Sequence, residues 1–306
     1  MSDATPWKEL SVADDGLRLD AWLSKQFHQL SRRAAQAYLA QGNVRVNGKM
    51  AVKGYTLQEG DTVSLLVAPA SDNWRPLANG DLPLDVVWED ESLIVVNKPF
   101  GMPSTANAPT DDHTLANAIA ARYPECAKIG VHNGDGGLLH RLDNDTSGLL
   151  IAARNVRTHR TLKNLQENNQ IEKRYLALVL SDESPLAPQT ISVPLDAKSR
   201  GGKKMSVTRG GQRAVTHLEE VTQMGQYALV KILLFKGVRH QIRVHLAQKG
   251  FPICGDPLYD GPAAPGLERL FLHASGLKFF HPVTSETVEV HCPLPTDLQR
   301  VIAGLK

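Results

Sequence analysis

Near the middle of the chain, a cluster of charged and polar residues runs directly into an apolar, strand-like segment. The cluster is His140-Arg141-Leu142-Asp143-Asn144-Asp145-Thr146-Ser147-Gly148, and residues 149–153 are apolar. Carboxylates at the end of a core element are candidates for acid, base or nucleophilic chemistry. With an extended backbone, Asp143 and Asp145 would share one face about 6.5–7 Å apart, a separation reminiscent of a glycosidase carboxylate pair. The alternative is a capping or turn carboxylate, which a His-x-x-Asp pattern alone favours.

Two further chemistries lack the other parts that they need. A kinase catalytic loop requires a Gly-rich phosphate loop and a Val-Ala-x-Lys strand, and the sequence has neither. A metal site would have only His140 and Asp143 as ligands from this cluster, and no His-Glu-x-x-His helix completes them. The sequence therefore predicts no metal site.

Composition and targeting signals indicate a cytoplasmic protein. The three cysteines, Cys126, Cys254 and Cys292, are far apart without a Cys-x-x-Cys spacing, which favours reduced thiols over a disulfide framework. Residues 1–10 lack a signal-peptide pattern, and no apolar run approaches the roughly 20 residues that cross a bilayer. The net charge of +2 means that a nucleic acid would have to be bound by local basic patches.

The elements that would position chemistry begin with a small N-terminal module. One face of a first helix is predicted by apolar residues at helical spacing, namely Leu19, Leu23, Phe27 and Leu30. Ser31 has the position of an N-cap for a second helix over 32–41, which Gly42 would end. Residues 44–49 alternate around Asn47-Gly48, a strong hairpin signal, and a strand over 62–67 completes a small sheet.

This module carries most of its charge with one sign. Between Arg18 and Lys53 the sequence has one acid, Asp20, and seven basic residues, which are Arg18, Lys25, Arg32, Arg33, Arg45, Lys49 and Lys53. In the first turn of a helix the macrodipole disfavours a cation by about 0.3–1 kcal/mol, and a bound phosphate would reverse that penalty at Arg32 and Arg33. A solvated basic face is the alternative, but the pattern favours nucleic-acid binding.

The same residues resemble a known RNA-binding module. Arg18-Leu19-Asp20-x-x-Leu23, Ser31-Arg32 and Gly42-x-Val44-x-Val46-Asn47-Gly48-Lys49 are similar to the αL module first named from ribosomal protein S4, over about residues 17–67. Phosphate contacts of this kind position an RNA without reading its sequence. The resemblance implies that RNA is contacted by Arg18, Ser31, Arg32, Arg33, Arg45, Asn47, Gly48 and Lys49.

The remainder of the chain is predicted to form one α+β domain. We expect an S4-like domain over 1–68, a linker over 69–83 that is rich in Pro, Asn, Asp and Ala, and a catalytic domain over 84–306. Strands are predicted at 84–88, 93–97, 148–153, 174–180, 214–221, 228–234, 270–274 and 287–291. Helices are predicted at 114–122, 156–166, 239–248 and 296–305. Because the strands do not alternate with the helices, we expect a mixed, mostly antiparallel sheet.

Several motifs of this domain resemble the RluA-type pseudouridine synthases. His140-Arg141-Leu142-Asp143-x-x-Thr146-Ser147-Gly148-Leu149-Leu150 is similar to their signature, and Lys173-Arg174-Tyr175-x-Ala177 to a second motif. Gly237-x-Arg239-His240-Gln241-Ile242-Arg243-x-His245-Leu246-Ala247 is similar to a third. Further matches are Asn97-Lys98-Pro99-x-Gly101, Pro252-Ile253-x-Gly255-Asp256-x-x-Tyr259 and Leu272-His273-Ala274. With the N-terminal module, the resemblance covers nearly the whole chain.

The resemblance implies a pseudouridine synthase fold and an isomerase that acts on structured RNA. It implies that Asp143 does the covalent or electrostatic work, either at the ribose or at the uracil, and that Arg243 keeps it charged. Tyr175 would lie against an everted uracil, and Arg141 would hold the flipped nucleotide or fill the space that it leaves. Asp145 receives no catalytic role.

The chemistry itself sets the expectations for cofactors and partners. Isomerisation of uridine involves no net redox change or hydrolysis, so we expect no cofactor and no metal. We expect RNA as the partner, with ribosomal RNA favoured over transfer RNA, no membrane association, and a monomer. The basic, Gly-rich residues 198–213 would form a loop that clamps phosphate, and the remaining histidines, His240 among them, would be structural.

Two other functions remain open from the sequence. One is an RNA-binding assembly factor whose isomerase domain is inactive, and the other is a glycosidase that uses Asp143 and Asp145. A tritium-release assay on RNA labelled at uracil C5 distinguishes all three.

Overall fold

The computed structural model describes residues 7–13, 16–26, 32–52, 54–66, 74–181, 185–197 and 204–305. Internal contacts divide the chain into two compact units, Met1–Trp74 and Arg75–Lys306. Part of the predicted linker packs within the second unit, where the Asn79 side chain donates a hydrogen bond to the Asp112 carbonyl at 2.8 Å. No helix of the described ranges is long and apolar enough to cross a membrane.

The first unit is a four-stranded antiparallel sheet with two helices. Its elements are β1 (Trp7–Ser11), α1 (Leu19–Gln26), α2 (Arg32–Ala40), β2 (Val44–Val46), β3 (Lys49–Met50) and β4 (Thr62–Leu66). The sheet order is β1-β4-β2-β3. The helices and strands together bury an apolar core that includes Leu19, Trp22, Leu23, Leu57 and Val63.

Most of the elements expected in this unit are confirmed. The second helix ends at Ala40, and Gly42 has a φ of 75°, the left-handed conformation typical of a residue just past a helix end. Asn47 and Gly48 both have positive φ, at 51° and 77°, as the two central residues of a type I′ hairpin require. Strand β1 was not predicted, and Phe27, Leu30 and Ser31 lie outside the described residues.

The second unit contains the larger sheet. Its strands are β5 (Asp85–Glu89), β6 (Leu93–Lys98), β7 (Ser147–Ala153), β8 (Ile171–Leu180), β9 (Gln189–Ser192), β10 (Leu195–Ala197), β11 (Met205–Val207), β12 (Val215–Met224), β13 (Tyr227–Leu234), β14 (Leu272–Phe280) and β15 (Thr287–His291). Its helices are α3 (Leu115–Arg122), α4 (Val156–Glu167), α5 (Gln241–Gln248) and α6 (Thr296–Gly304), with a 3₁₀ turn at Pro124–Lys128.

Nine of these strands form one mixed, mostly antiparallel sheet, as predicted. The order along the sheet is β5-β6-β7-β14-β8-β13-β12-β9, with β15 also paired to β14. The pairing of β7 with β14 is parallel, and the other pairings of this sheet are antiparallel. Strands β10 and β11 form a separate hairpin-like pair.

Both faces of the sheet are covered by apolar cores. Alternate residues of a strand point to opposite faces, and in β6 Ile94 and Val96 enter one core while Leu93 and Val95 enter the other. Helices α3, α5 and α6 contribute to the first core, and α4 contributes Leu162 to the second. The charged cluster found in the sequence lies at the start of β7, and Leu142 packs into the first core. The fold therefore places this cluster against the α5 side of the sheet.

A glycine allows the close approach of the central strands. Gly148 has a φ of 117°, and a Cβ built on it would lie 2.2 Å from the carbonyl oxygen of Ala274, its register partner on β14. The sequence analysis placed a strand here without identifying this requirement. It also ended β14 at residue 274, whereas the strand continues to Phe280, and it missed the short strands β9, β10 and β11.

Candidate active site

Asp143 lies in a tight turn immediately before β7. The side chain of Ser104 bonds both backbone groups of Leu142, accepting from its N–H at 3.0 Å and donating to its carbonyl at 2.9 Å. The N–H of Thr146 donates to the Asp143 carbonyl at 3.0 Å, which closes the turn. The extended backbone that would have put Asp143 and Asp145 on one face is therefore wrong, and the glycosidase alternative loses the geometry that motivated it.

Asp143 and Arg243, two of the three residues assigned catalytic roles from the sequence, are in contact. Nη1 of Arg243 on α5 donates to Oδ2 of Asp143 at 3.2 Å. The Arg243 side chain is 2% exposed and that of Asp143 is 24% exposed. A buried guanidinium thus faces a carboxylate that substrate can reach.

A second carboxylate fixes the guanidinium. Asp256, which is 1% exposed, accepts two bonds from Arg243, from Nε and from Nη2, each at 2.7 Å. Its Oδ1 also accepts from the backbone N–H groups of Leu258 and Tyr259. Burial alone would lower the pKa of Arg243, but the two carboxylates outweigh burial and raise it. Such a bidentate pair sets the orientation of the guanidinium plane, so Asp256 aims the remaining donor at Asp143.

His240 and Tyr259 complete the surroundings of the Asp143 carboxylate. His240 immediately precedes α5 in a left-handed conformation, with a φ of 56°, and its Nε2 lies 3.7 Å from Oδ2 of Asp143. Its Nδ1 lies 2.8 Å from the Tyr259 hydroxyl, which also accepts a bond from the Met205 N–H at 2.8 Å. The sequence analysis assigned His240 only a structural role, and the structure places it at the carboxylate.

Tyr175, the third residue with a predicted catalytic role, lies on β8. It is buried in the first core and paired in register with Ile232 and Ala274 on the neighbouring strands. Burial raises the pKa of its phenol, and the negative charge of Asp143 raises it further. The hydroxyl therefore keeps its proton at neutral pH, and its pKa is sensitive to the charge of Asp143.

Lys98 holds the turn from beneath. It is fully buried, and its Nζ donates to the carbonyls of Pro99 at 2.8 Å, Met102 at 2.7 Å and Asn144 at 3.2 Å. Burial lowers the pKa of Lys98 to about 7, while the charges of Asp143 and Asp145 oppose that shift. Lys98 belongs to one of the sequence motifs, but no role was predicted for it. Nothing in the neighbouring sequence indicates that its ammonium bonds the carbonyl of Asn144.

Arg141 is exposed on the same turn. It forms no hydrogen bond or ion pair with any residue that the structure describes, the nearby Asp145 included. A free guanidinium two residues from Asp143 is available to a substrate.

Three of the residues expected to contact RNA in the first unit already make contacts within the protein. Arg18 pairs with Asp20 at 3.2 Å, and the Arg45 guanidinium lies 4.4 Å from the centre of the Trp7 ring. The Asn47 side chain is engaged within the unit, because it donates to Asp61 at 2.7 Å and accepts from the Thr62 N–H at 2.9 Å.

The remaining members of this set can be placed only in part. Gly48 forms the hairpin turn and Lys49 is exposed beside it. Ser31 and the side chains of Arg32 and Arg33 lie outside the described residues, as do residues 198–203 of the basic loop. Of the rest of that loop, Lys204 has its Nζ 5.9 Å from the centre of the Tyr259 ring.

Metal chemistry has no matching donor set in the described ranges. No group of three or more His, Cys, Asp or Glu side chains there is arranged to hold a metal ion. What the arrangement offers is one accessible carboxylate, a buried guanidinium aimed at it, a neutral phenol and a free surface arginine.

Comparisons with known proteins agree with this architecture. Residues 92–248 match the RNA pseudouridylate synthase family, and residues 17–63 match the S4 domain. An uncharacterized RNA pseudouridine synthase of Bacillus subtilis, YlyB, is 35% identical over 294 residues, which cover 94% of each chain. The ribosomal large subunit pseudouridine synthase D of Xanthomonas campestris is 33% identical, with 95% of this chain and 89% of that protein covered.

A solved structure shows the same fold. The human RNA pseudouridylate synthase domain containing 4 superimposes with a TM-score of 0.56 at 24% identity, covering 71% of this chain and 92% of that one. The sheet, the site and the sequence matches together define an RNA-modifying isomerase with a separate RNA-binding module. The chain belongs to the RNA pseudouridylate synthase family and carries an N-terminal S4 domain.

Proposed function

We propose that this protein converts specific uridines of large-subunit ribosomal RNA to pseudouridine, with Asp143 as the nucleophile and with the target base everted from its stack. The observation that carries the proposal is the Asp143 carboxylate, partly exposed and 3.2 Å from a guanidinium that Asp256 holds in place. The choice of ribosomal RNA is supported by relatives named ribosomal large subunit pseudouridine synthase D in Xanthomonas and Vibrio. We further propose that it acts as a cytoplasmic monomer.

The reaction breaks two bonds and forms two at one nucleotide. The C1′–N1 bond of the uridine breaks, the uracil turns, and C1′ joins C5 of the same base. The proton of C5 leaves and N1 gains one, so the product is an isomer of the substrate. Whether the carboxylate attacks C1′ or the uracil ring, it must be anionic to do so.

Arg243 keeps Asp143 anionic. A carboxylate that a nucleobase covers loses water, which favours its neutral form, and a fixed cation opposes that effect. Arg243 can play this part because Asp256 occupies its Nε and Nη2, leaving Nη1 for Asp143. A lysine would not serve equally, because its ammonium has no fork to divide between two carboxylates.

Tyr175 and Arg141 are proposed to handle the base. The buried Tyr175 phenol would supply a flat ring for the uracil and a hydroxyl that keeps its proton. Eversion costs a few kcal/mol of lost stacking, and Arg141, exposed and free of partners among the described residues, is placed to hold the nucleotide or fill its vacated space.

The test is tritium release from RNA labelled at uracil C5, with transcripts of large-subunit ribosomal RNA and of transfer RNA. The wild-type protein is expected to release tritium from the ribosomal transcript, and Asp143→Asn is expected to release none. Asp145→Asn is the matched control, because it removes an equal charge two residues away and is expected to retain most of the activity. If neither RNA released tritium, the isomerase proposal would be contradicted. Release from transfer RNA alone would contradict the proposal that ribosomal RNA is the substrate.

The uridines themselves can be found in cells. Pseudouridines are mapped in the RNA of a strain that lacks this protein and in the same strain carrying the wild-type or the Asp143→Asn gene. Sites that disappear and return only with the wild-type gene are the targets.

A further inference from the structure

Two aromatic side chains are exposed in the part of the chain that the structure describes. Phe100 is 43% exposed and Phe280 is 49% exposed, whereas every other described Phe, Tyr and Trp is buried or partly buried. Phe280 ends β14, away from the residues assembled at Asp143. Phe100 belongs to the segment that holds the catalytic turn, so the two rings differ in their relation to the site.

Phe100 is tied to the catalytic turn through its neighbours. The Gly101 N–H donates to the Asn144 carbonyl at 2.8 Å, and the Lys98 ammonium donates to the same oxygen at 3.2 Å. Asn144 directly follows Asp143. Consecutive Cα atoms are about 3.8 Å apart, so the Phe100 ring is attached one residue from the Gly101 hydrogen bond to the turn that carries Asp143. This bond keeps the ring close to the turn.

The ring is also supported by a fixed cation. The guanidinium carbon of Arg269 lies 4.9 Å from the centre of the Phe100 ring. Arg269 is 8% exposed, and it donates to Asp297 at 2.5 Å and to the Ser147 hydroxyl at 3.3 Å. A guanidinium anchored in this way holds the ring in one orientation by a cation–π contact and leaves much of it accessible to solvent.

We infer that Phe100 is a stacking platform for the nucleobase that neighbours the everted uridine. Eversion removes a stacking partner from the adjacent bases, and unstacked RNA bases are commonly bound on aromatic side chains. The nearby surface suits a nucleotide better than an apolar protein segment, because the other exposed side chains of the turn are Arg141, a free cation, and Asn144, an amide. The inference rests on the proposed function and adds a binding site to it.

The test compares four variants in RNA binding and turnover. Stacking of one base corresponds to a roughly five- to hundred-fold change in affinity. We therefore expect Phe100→Ala to raise KM for the RNA by about ten-fold, with little change in kcat, and Phe100→Leu to lose as much because its side chain is apolar but has no ring. Phe100→Tyr is expected to resemble the wild type. The matched control Phe280→Ala, which removes an equally exposed ring elsewhere, is expected to leave KM unchanged.

A second readout reports the stack without catalysis. A transcript with 2-aminopurine beside the target uridine is titrated with protein, and stacking on an aromatic ring quenches its fluorescence. Because eversion also frees this base from its stack, which raises its fluorescence, the comparison is between variants. We expect the RNA complex to be less fluorescent with the wild type and with Phe100→Tyr than with Phe100→Ala and Phe100→Leu.

Three results would overturn the inference. These are wild-type behaviour of Phe100→Leu, equal losses for Phe100→Ala and Phe280→Ala, or unchanged RNA binding in every variant, the last of which would indicate a protein partner for the ring instead. Failure of the proposed function is distinguishable, because the wild-type protein would then release no tritium, whereas failure of this inference alone leaves wild-type tritium release intact.

Discussion

The Tyr259 hydroxyl and Nδ1 of His240 are 2.8 Å apart, and this contact influences which of the two ring nitrogens of His240 carries the proton. The Met205 N–H donates to the same hydroxyl at 2.8 Å, so the hydroxyl proton is free to be donated to Nδ1. Burial lowers the pKa of His240 below its ordinary value, against the opposing charge of Asp143. We therefore expect the neutral ring to carry its proton on Nε2, the atom 3.7 Å from Oδ2 of Asp143.

Tyr259→Phe should disturb this arrangement without removing either partner of the Asp143–Arg243 pair. The change removes both hydrogen bonds of the hydroxyl, to His240 and from the Met205 N–H. The bond to His240 is the one next to Asp143, and a neutral bond contributes about 0.5–1.5 kcal/mol, so we expect kcat/KM to fall by roughly 2- to 13-fold. In ¹⁵N-labelled protein, histidine NMR should show the Nε2–H tautomer of His240 in the wild type and a weaker preference in the variant. His245, which contacts Thr216 and Val193, is the internal control and should not change. A wild-type Nδ1–H tautomer would contradict the assignment.

Asp143 and Asp256 both bind Arg243. Removal of Asp256 should mainly lower the stability of the fold, whereas removal of Asp143 should mainly abolish activity. Asp256 is buried and makes two of the three bonds to the guanidinium, so Asp256→Asn leaves a buried charge poorly compensated. Removal of one partner of a buried pair costs about 3–5 kcal/mol. Asp143→Asn leaves the Asp256 pair intact, and we expect a loss of about 1 kcal/mol or less, together with loss of activity.

Urea unfolding of the wild type and both variants at pH 7 measures the difference. Asp256→Glu, which keeps the charge but lengthens the side chain, separates charge from geometry and is expected to fall between the wild type and Asp256→Asn. If Asp143→Asn proved the more destabilising of the two asparagine variants, Asp256 would not be the residue that fixes Arg243.

The sequence indicated which residues come together at the site better than it indicated the contacts among them. The pairing of Arg243 with Asp143 was anticipated, because the motifs that contain them are distinctive. The roles of Asp256 and Lys98 were not, since each acts through a partner that is distant along the chain, Arg243 in one case and the Asn144 carbonyl in the other. The turn at Asp143 was one of two conformations left open by the sequence, because the same residues are compatible with a turn and with an extended segment, and the bond from the Thr146 N–H to the Asp143 carbonyl selects the turn.

The elements show the same division. Helix α4 and strand β15 were predicted to within a residue, because their periodicity and caps are local. Strands β9, β10 and β11 have three or four residues each, which is too short for alternation to be read. Strand β14 extends past residue 274 because it pairs with both β8 and β15, and pairing of that kind is a property of the assembled sheet.

Lys98 should give the folded state a distinct pH dependence. Burial lowers its pKa to about 7, whereas in the unfolded chain it has the ordinary value of 10.5. Between these pH values the unfolded chain binds a proton that the folded protein does not, so the free energy of unfolding rises with pH, by at most about 1.4 kcal/mol per unit from this group. Lys98→Met should remove that slope.

Urea unfolding at several pH values from 7 to 10 provides the measurement. The partly exposed Lys278, which pairs with Glu289, serves as the control, and Lys278→Met should keep the wild-type slope. Other groups that titrate in this range are common to all three proteins and cancel in the comparison. Equal slopes for Lys98→Met and the wild type would mean that Lys98 stays protonated in the folded protein.

The S4 domain should contribute phosphate contacts that are visible in the salt dependence of RNA binding. Arg45 and Lys49 are exposed on neighbouring strands of one hairpin, and neither pairs with an acid in the described residues. Each phosphate contact changes the slope of log K against log salt by about 0.7–0.9, so an Arg45→Gln, Lys49→Gln protein should bind RNA with a slope flatter by up to twice that amount. Lys231→Gln, Lys278→Gln is the charge-matched control, because Lys231 is exposed and Lys278 partly exposed, and both are paired with glutamates of the second unit. A slope that changes equally in the two double variants would show that net charge, and not the S4 hairpin, governs the binding.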